Sequence, residues 1–274
     1  MDAFIPEMSK HRPPRLADAD LGLTADRDSY DEDLLQLQEE LHDLQRSLRA
    51  ACGRAIVVFE GWDAAGKGGA IRRMTARLDP RGLKVWPIGP PGQLEQRHHY
   101  LHRFWKRLPE EGSLAIFDRS WYGRVLVERV EGLAPKSDWQ RAYREINTFE
   151  RMLRDDGALL VKLFMHISPG EQLHRFQRRL DDPTKRWKLT PEDLRNRSKQ
   201  HAYEKAIAAM LRRTSTPHAP WTVIPAEDKR YARLAAMRTV IETLSPELPP
   251  APTHIDSEVA RLALDLKLKL PQEG

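Results

Sequence analysis

An α/β architecture, with a five-stranded parallel sheet layered between helices, is what this sequence predicts from three observations. Apolar runs rich in Val, Ile, Leu and Phe recur at residues 55–59, 83–88, 114–117, 159–167 and 221–224. Their near-continuous hydrophobicity is that of strands buried on both faces, as in parallel sheets. Segments of helical period lie between them, at 70–78, 93–108 and 138–155,. A glycine-rich turn links the first apolar run to the first of those segments. Strands alternating with helices build βαβ crossovers in a doubly wound sheet and place ligands at the carboxyl ends of the strands.

In chain order, residues 1–30 carry prolines and charges with little periodicity, and read as an extension lying over the domain surface,. Leu34, Leu37, Leu41, Leu44 and Leu48 then recur at steps of three and four, which lays one leucine stripe along an amphipathic helix. A stripe of about two heptads suits a helix packed on its own domain better than a dimeric coiled coil. Segment 138–155 has Ser137 placed as its N-cap and Gly157 as its stop,. Residues 31–250 are expected to form one domain with a lid at about 170–205, followed by a tail at 251–274,.

The composition, 40% hydrophobic and 31% charged with a mean hydropathy of −0.63, is that of a globular protein,. No apolar run approaches the roughly 20 residues of a membrane-spanning helix. The first 16 residues lack the apolar core of a secretory signal,, so a cytoplasmic protein with no membrane partner is expected. The single cysteine, Cys52, can form no internal disulfide and has no ligand cluster around it,; a buried or partly buried thiol is expected.

Residues 61–69 read GWDAAGKGG. Between a strand and a helix, such a loop turns its N–H groups around phosphate oxygens, and its lysine neutralises phosphate charge. The positive end of the following helix faces the anion. A ligand-free connection also uses glycines, but strand, loop, lysine and helix occur here in the order a phosphate site requires. The candidate phosphate ligands are therefore the backbone of Gly61, Ala64, Ala65, Gly66, Gly68 and Gly69, with Lys67. The Ser or Thr that normally follows the lysine and holds Mg²⁺ is replaced by Gly68,. Another group must then hold the metal. Asp63 is the nearest carboxylate, the alternative being a solvated loop residue.

A second carboxylate, Asp118, ends the apolar run 114–117, where an acidic residue would reach a metal beside the loop,; the alternative is a cap on the next helix. Arg119 and Arg124 follow it, and the planar guanidinium fork suits phosphate.

GWDAAGKGG (61–69) together with FDRSWYGRVLVERVEG (117–132) resembles the polyphosphate kinase 2 family, and DDPTKRWKL (181–189) resembles that family's lid; the likeness runs from about Leu34 to about Leu244. It implies a three-layer P-loop kinase fold similar to thymidylate kinase. It also implies reversible phosphoryl transfer between inorganic polyphosphate and adenine or guanine nucleotides, dependent on Mg²⁺, with Mn²⁺ as a substitute. Asp63 and Asp118 match the family's two essential carboxylates and are the expected metal ligands. Lys67 matches its loop lysine, and Arg119 and Arg178 match its phosphate-contacting arginines. WYGRVLVERVEG (121–132) looks most like members that phosphorylate nucleoside monophosphates, so AMP to ADP is favoured over ADP to ATP. A homo-oligomer, dimer or tetramer, is expected.

Between His174 and His201 there are nine Lys and Arg against four acids, an excess equal to the whole chain's formal charge of +5. Pro183 and Pro191 interrupt helices there,. Helix, basic turn and helix fit a lid; a solvated charged face is the plain alternative. Arg178, Arg179, Lys185 and Lys188 are its candidate phosphate ligands, and Lys84 and Arg124 are candidates for holding a polyphosphate chain. Trp62, Trp105, Trp121 and Trp187 are expected to pack in the core. His98, His99 and His102 read as a surface face. An ATP-dependent nucleotide kinase would share loop and lid and differ in donor. A nucleic-acid-binding protein would use the same cations, but no helix-turn-helix, zinc-finger or RNP signature is present, and no nucleic-acid partner is expected.

Overall fold

Each of the five apolar runs is a strand. The computed structural model describes residues 12–251, 253, 255 and 257–271. β1 Arg54–Gly61, β2 Leu83–Pro87, β3 Ser113–Asp118, β4 Ala158–His166 and β5 Trp221–Pro225 form one parallel sheet in the order β2-β3-β1-β4-β5. The helices are α1 Tyr30–Ala50, α2 Lys67–Met74, α3 Gln93–Gln96, α4 His102–Trp105, α5 Val127–Val130, α6 Lys136–Asp155, α7 Pro169–Asp181, α8 Pro191–Ser198, α9 Gln200–Thr214, α10 Lys229–Leu244 and α11 Ser257–Asp265. None of the helices among the described residues is long and apolar enough to cross a membrane.

The period of two along β1 divides the core. Ala55, Val57 and Phe59 pack with residues of α1, α2 and α10, while Ile56 and Val58 pack with residues of α6 and α9. Both faces are thus covered, which makes three layers. In α1, Leu37, Leu41, Leu44 and Leu48 are buried and Leu34 partly so, which fastens this helix to its own domain. β3 and β4 flank β1, with Phe59 in register with both Asp118 and Leu163. The end of β1 therefore opens between two strand ends, and Asp118 emerges beside it.

Several local expectations give way. Segment 93–108 holds two single-turn helices rather than one continuous helix. Leu94 is 74% exposed and Leu101 and Phe104 supply the buried contacts, an apolar stripe too short to hold a longer helix. α2 starts and ends earlier than 70–78 because the chain enters it directly from the loop at Gly66. Ser137 lies inside α6, whose N-cap is Pro135, and its hydroxyl instead meets Asp138. Gly157 does stop that helix, at a φ of 81°. Cys52 is exposed, in a left-handed turn between α1 and β1. The described part of the extension, residues 12–29, packs Leu16 and Ala25 against opposite core clusters; its first eleven residues lie outside the described part. The tail carries α11, whose Leu262 and Leu264 are exposed.

A buried polar network stiffens the face below β3. The Lys162 ammonium donates to Glu150 (2.7 Å), Tyr122 (2.9 Å) and the carbonyl of Thr214 (2.8 Å). The other Glu150 oxygen accepts from Tyr122 (2.6 Å) and the Trp121 indole (3.0 Å). Burial pushes the Lys162 pKa down, yet its three N–H donors all meet acceptors, the arrangement of a charged amine. Trp121 and Tyr122 follow Asp118 and Arg119 by three residues, so the network anchors the site's second segment. Glu150→Ala would leave a buried cation unpaired. It is expected to destabilise the fold by about 3–5 kcal/mol, measured by urea unfolding.

Candidate active site

The loop after β1 depends on glycine at two places. Gly61 has φ 148°, and a Cβ there would stand 2.4 Å from the Met165 carbonyl oxygen on β4. Gly66, at φ 107°, turns the chain into α2. Ala64 (φ 62°) in the loop and Arg119 (φ 66°) after β3 also adopt left-handed conformations. Each costs on the order of 1–3 kcal/mol, a strain that concentrates at functional sites. Arg175 of α7, buried beneath the loop, donates to the carbonyls of Ala64 and Ala65 (both 3.0 Å) and of Ala226 (2.7 Å) and Glu227 (2.8 Å). It ties up loop carbonyls from outside. Lys67 folds over its own loop, donating to the carbonyls of Gly61 (2.9 Å) and Trp62 (3.1 Å).

The two carboxylates have different surroundings. Asp118 has no hydrogen bond or ion pair to its carboxylate among the described residues, and its Oδ2 stands 3.9 Å from where a side chain at position 68 would begin. A free carboxylate thus faces the place where the usual hydroxyl is missing. Asp63 is held at both oxygens: Arg119 donates to Oδ1 (3.0 Å) and Asn196 of α8 to Oδ2 (2.8 Å). Tyr203 orients Asn196 by donating to its carbonyl (2.9 Å). Burial opposes the Arg119 charge, but Asp63, Glu192, Glu60 and Asp118 outweigh it and raise the guanidinium pKa. Burial pushes the Glu60 carboxyl up, against a 2.8 Å hydrogen bond from Ser120 and the charges of Lys67 and Arg119.

One cleft of about 1010 Å³ gathers most of the anticipated residues: Asp63 to Gly69 of the loop, Asp118, Arg119, and Arg178, Arg179, Lys185 and Lys188 of the lid. Gly61 lines a smaller space behind Asp63 instead. Two candidates fall outside both. Lys84 sits on edge strand β2 beside Ala115, three residues short of the strand's carboxyl end, and points to solvent. Arg124 is paired with Glu128 (3.1 Å) and lies 4.6 Å from the Tyr100 ring centroid. Arg175, counted by charge among the lid cations, is the loop-bracing residue described above. Trp121 is a core residue as expected, but Trp105 is 45% and Trp187 76% exposed.

Arg72, Arg73, Lys229 and Arg233 also line the cleft, from the part of α2 beyond the loop motif and from α10, positions that no phosphate motif marks. Burial, with the neighbouring charges of Arg175 and Arg178, lowers the Lys229 pKa to about 8. Below that pH the ammonium adds to the cleft's charge, and above it the charge is lost. The KM for a polyanion is therefore expected to rise between pH 7 and 9, and Lys229→Arg to flatten the rise. If the chain acts as the resemblance to the polyphosphate kinase 2 family implies, Arg178→Ala and Arg179→Ala should weaken use of a polyphosphate donor more than use of a nucleotide. They should also reduce the salt dependence of turnover, as steady-state kinetics at two ionic strengths would read.

A phosphate-type loop at the centre of a parallel sheet, one carboxylate within that loop and one at the neighbouring strand end, and a cationic lid define a protein of the P-loop kinase fold. A family model described as polyphosphate kinase 2 matches residues 24–251. The crystal structure of polyphosphate kinase 2 from Arthrobacter aurescens superposes with a TM-score of 0.85 at 33% identity, covering 92% of each chain. A polyphosphate:AMP phosphotransferase of Pseudomonas syringae is 50% identical over 82% of this chain. An ADP-polyphosphate phosphotransferase of Pseudomonas aeruginosa is 41% identical over 84% of this chain and 76% of its own length. The chain spans about half the length of the curated polyphosphate:AMP phosphotransferases it matches, 45% in each case. It belongs to the polyphosphate kinase 2 family.

Proposed function

We propose that the protein transfers the terminal phosphoryl group of inorganic polyphosphate to a nucleotide, with AMP as the favoured acceptor. The observation that carries this reading is the cleft. Eight Lys and Arg from three parts of the chain (Arg72, Arg73, Arg178, Arg179, Lys185, Lys188, Lys229 and Arg233) surround the phosphate loop in a space of about 1010 Å³. That suits a run of phosphates better than the adenosine end of ATP, which needs apolar walls. The names of the relatives, one acting on AMP and one on ADP, support the acceptor class, and the higher identity to the former favours AMP.

The loop N–H groups and Lys67 hold the donor's terminal phosphoryl group. The acceptor's phosphate oxygen attacks its phosphorus; one P–O bond forms, and the bridging P–O bond to the chain breaks, the shortened chain keeping that oxygen. Asp63 and Asp118 would hold Mg²⁺, since hard carboxylate oxygens suit it and leave positions for phosphate oxygens and water. The ion supplies neutralisation of charge on the transferring group. Arg119, fixed by Asp63, steadies the same charge, and the lid arginines close over the chain and exclude water.

The test offers AMP and ADP separately with long-chain polyphosphate and no ATP. ADP forming from AMP faster than ATP forms from ADP supports the proposal. Reaction with ADP alone overturns the choice of acceptor.

A further inference from the structure

Cations gather a second time, away from the cleft. α6 ends at Asp155, shortly before β4 begins, and α9 ends at Thr214, shortly before β5 begins, so their last turns lie toward the amino ends of the strands, opposite the phosphate loop. Where these two helices pack together they bound an open depression of about 300 Å³. Arg144 and Arg151 of α6, Arg213 in the last turn of α9 and His218 in the turn that follows line it. Arg144, Thr148 and Arg151 are spaced i, i+4 and i+7, which puts them on one face of α6,.

No carboxylate lines this depression, and among the described residues Arg144, Arg151 and Arg213 form no ion pair. Their neighbours on α6 differ, since Arg141 is paired with Glu145 and Arg154 with Glu247. Arg213 is held in place. Its guanidinium lies 4.1 Å from the centroid of the buried Tyr143 ring, its carbonyl accepts from Asn147 (2.9 Å), and the Tyr143 hydroxyl accepts from Arg129 (2.8 Å). A guanidinium stacked on a ring keeps its N–H edge for an anion. Three such forks around one concavity match phosphate oxygens in pairs, and their summed field concentrates anions there. The Thr148 hydroxyl and the His218 imidazole add hydrogen-bond donors,.

We propose that this depression is a second binding site for inorganic polyphosphate, which holds a distal stretch of a long chain while the chain's terminus reacts in the cleft. Gln200, at the start of α9, lines the space beside Asp63, and Arg213 lies about 20 Å further along that helix at roughly 1.5 Å per residue,. Exposed Lys205 stands between them on α9. A small anion cannot engage both places. A polymer of phosphates can, and its second contact forms at the high effective concentration that linkage gives. The proposal rests on polyphosphate being the donor, as in the reading above, and adds a site that would make long chains bind more tightly than short ones.

Arg144→Gln combined with Arg151→Gln removes two of the three charges from exposed positions on α6. Lys267→Gln combined with Lys269→Gln removes the same charge from the exposed tail and serves as the control. Calorimetric titration of the full chain compares long-chain polyphosphate with tripolyphosphate, which is too short to reach both sites, and sedimentation follows assembly. The expected result is a parent that prefers the long chain, and a preference reduced at least about tenfold in the α6 variant, with kcat and the KM for AMP unchanged and the tail variant at the parent's values. No preference in the parent, an undiminished preference in the α6 variant, or an equal fall in the tail variant overturns the assignment. So does a changed sedimentation coefficient in the α6 variant, which would make the face an interface between copies, or a loss of affinity for single-stranded RNA without one for long-chain polyphosphate. The titration needs no turnover. A parent that binds the long chain but makes no ADP from it would sink the functional reading, while the variants would still decide the site.

Discussion

Asp63→Asn is expected to lower turnover by roughly a thousandfold or more, the scale of losing a group that stabilises transition-state charge, while polyphosphate binding and the fold survive. The substitution keeps the size of the side chain and most of its hydrogen bonding but removes the charge. That charge has two tasks in the proposed mechanism. It fixes Arg119 through the 3.0 Å contact, and it supplies a metal ligand that the loop otherwise lacks, since position 68 is glycine. Raising Mg²⁺ or supplying Mn²⁺ should restore part of the activity if affinity for the ion is what was lost. Near-normal turnover at ordinary Mg²⁺ would make Asp63 a structural residue that holds Asn196 and Arg119.

Asp118→Asn should behave alike, with a cleaner separation of activity from stability. Its carboxylate has no protein partner among the described residues, so neutralising it breaks no internal bond and the unfolding midpoint should stay at the parent's value. The double variant Asp63→Asn with Asp118→Asn is expected to be little slower than either single one, because both carboxylates serve one metal site and groups acting as a unit are strongly non-additive. Multiplying losses would instead indicate two independent roles. The measurement is turnover of all three variants under saturating substrates.

The sheet was legible because strands covered on both faces must be apolar throughout, as β1 and β4 are. Loop, lysine and Asp118 were legible because their order along the chain is their order in space: a loop at one strand end and a carboxylate at the neighbouring one. The lid was legible only as charge. Both Arg175 and Arg178 line the cleft, and nothing in their spacing distinguished the one whose guanidinium is taken up by loop carbonyls, because that depends on how α7 docks on the loop. Arg72, Arg73, Lys229 and Arg233 were missed for a related reason. They lie on α2 beyond the loop motif and on α10, where no phosphate signature marks them, and the packing of α10 against α2 brings them to the cleft. Lys84 and Arg124 show the converse: both are basic residues near a motif, yet strand position turns the first to solvent, and a salt bridge to Glu128 together with the Tyr100 ring engages the second. Segment 93–108 forms only two single-turn helices because its few apolar positions cover too little surface to hold a longer one,.

The central claim is direct transfer from a polyphosphate terminus to a nucleotide at the centre formed by Asp63, Lys67 and Asp118. Phosphorus NMR of the full chain with AMP, long-chain polyphosphate and Mg²⁺, in the absence of ATP, follows donor and product together. The expected result is growth of the ADP β-phosphate resonance in step with polyphosphate consumption, absent in Asp118→Asn. No ADP until ATP is added would contradict the account and identify an ATP-dependent kinase.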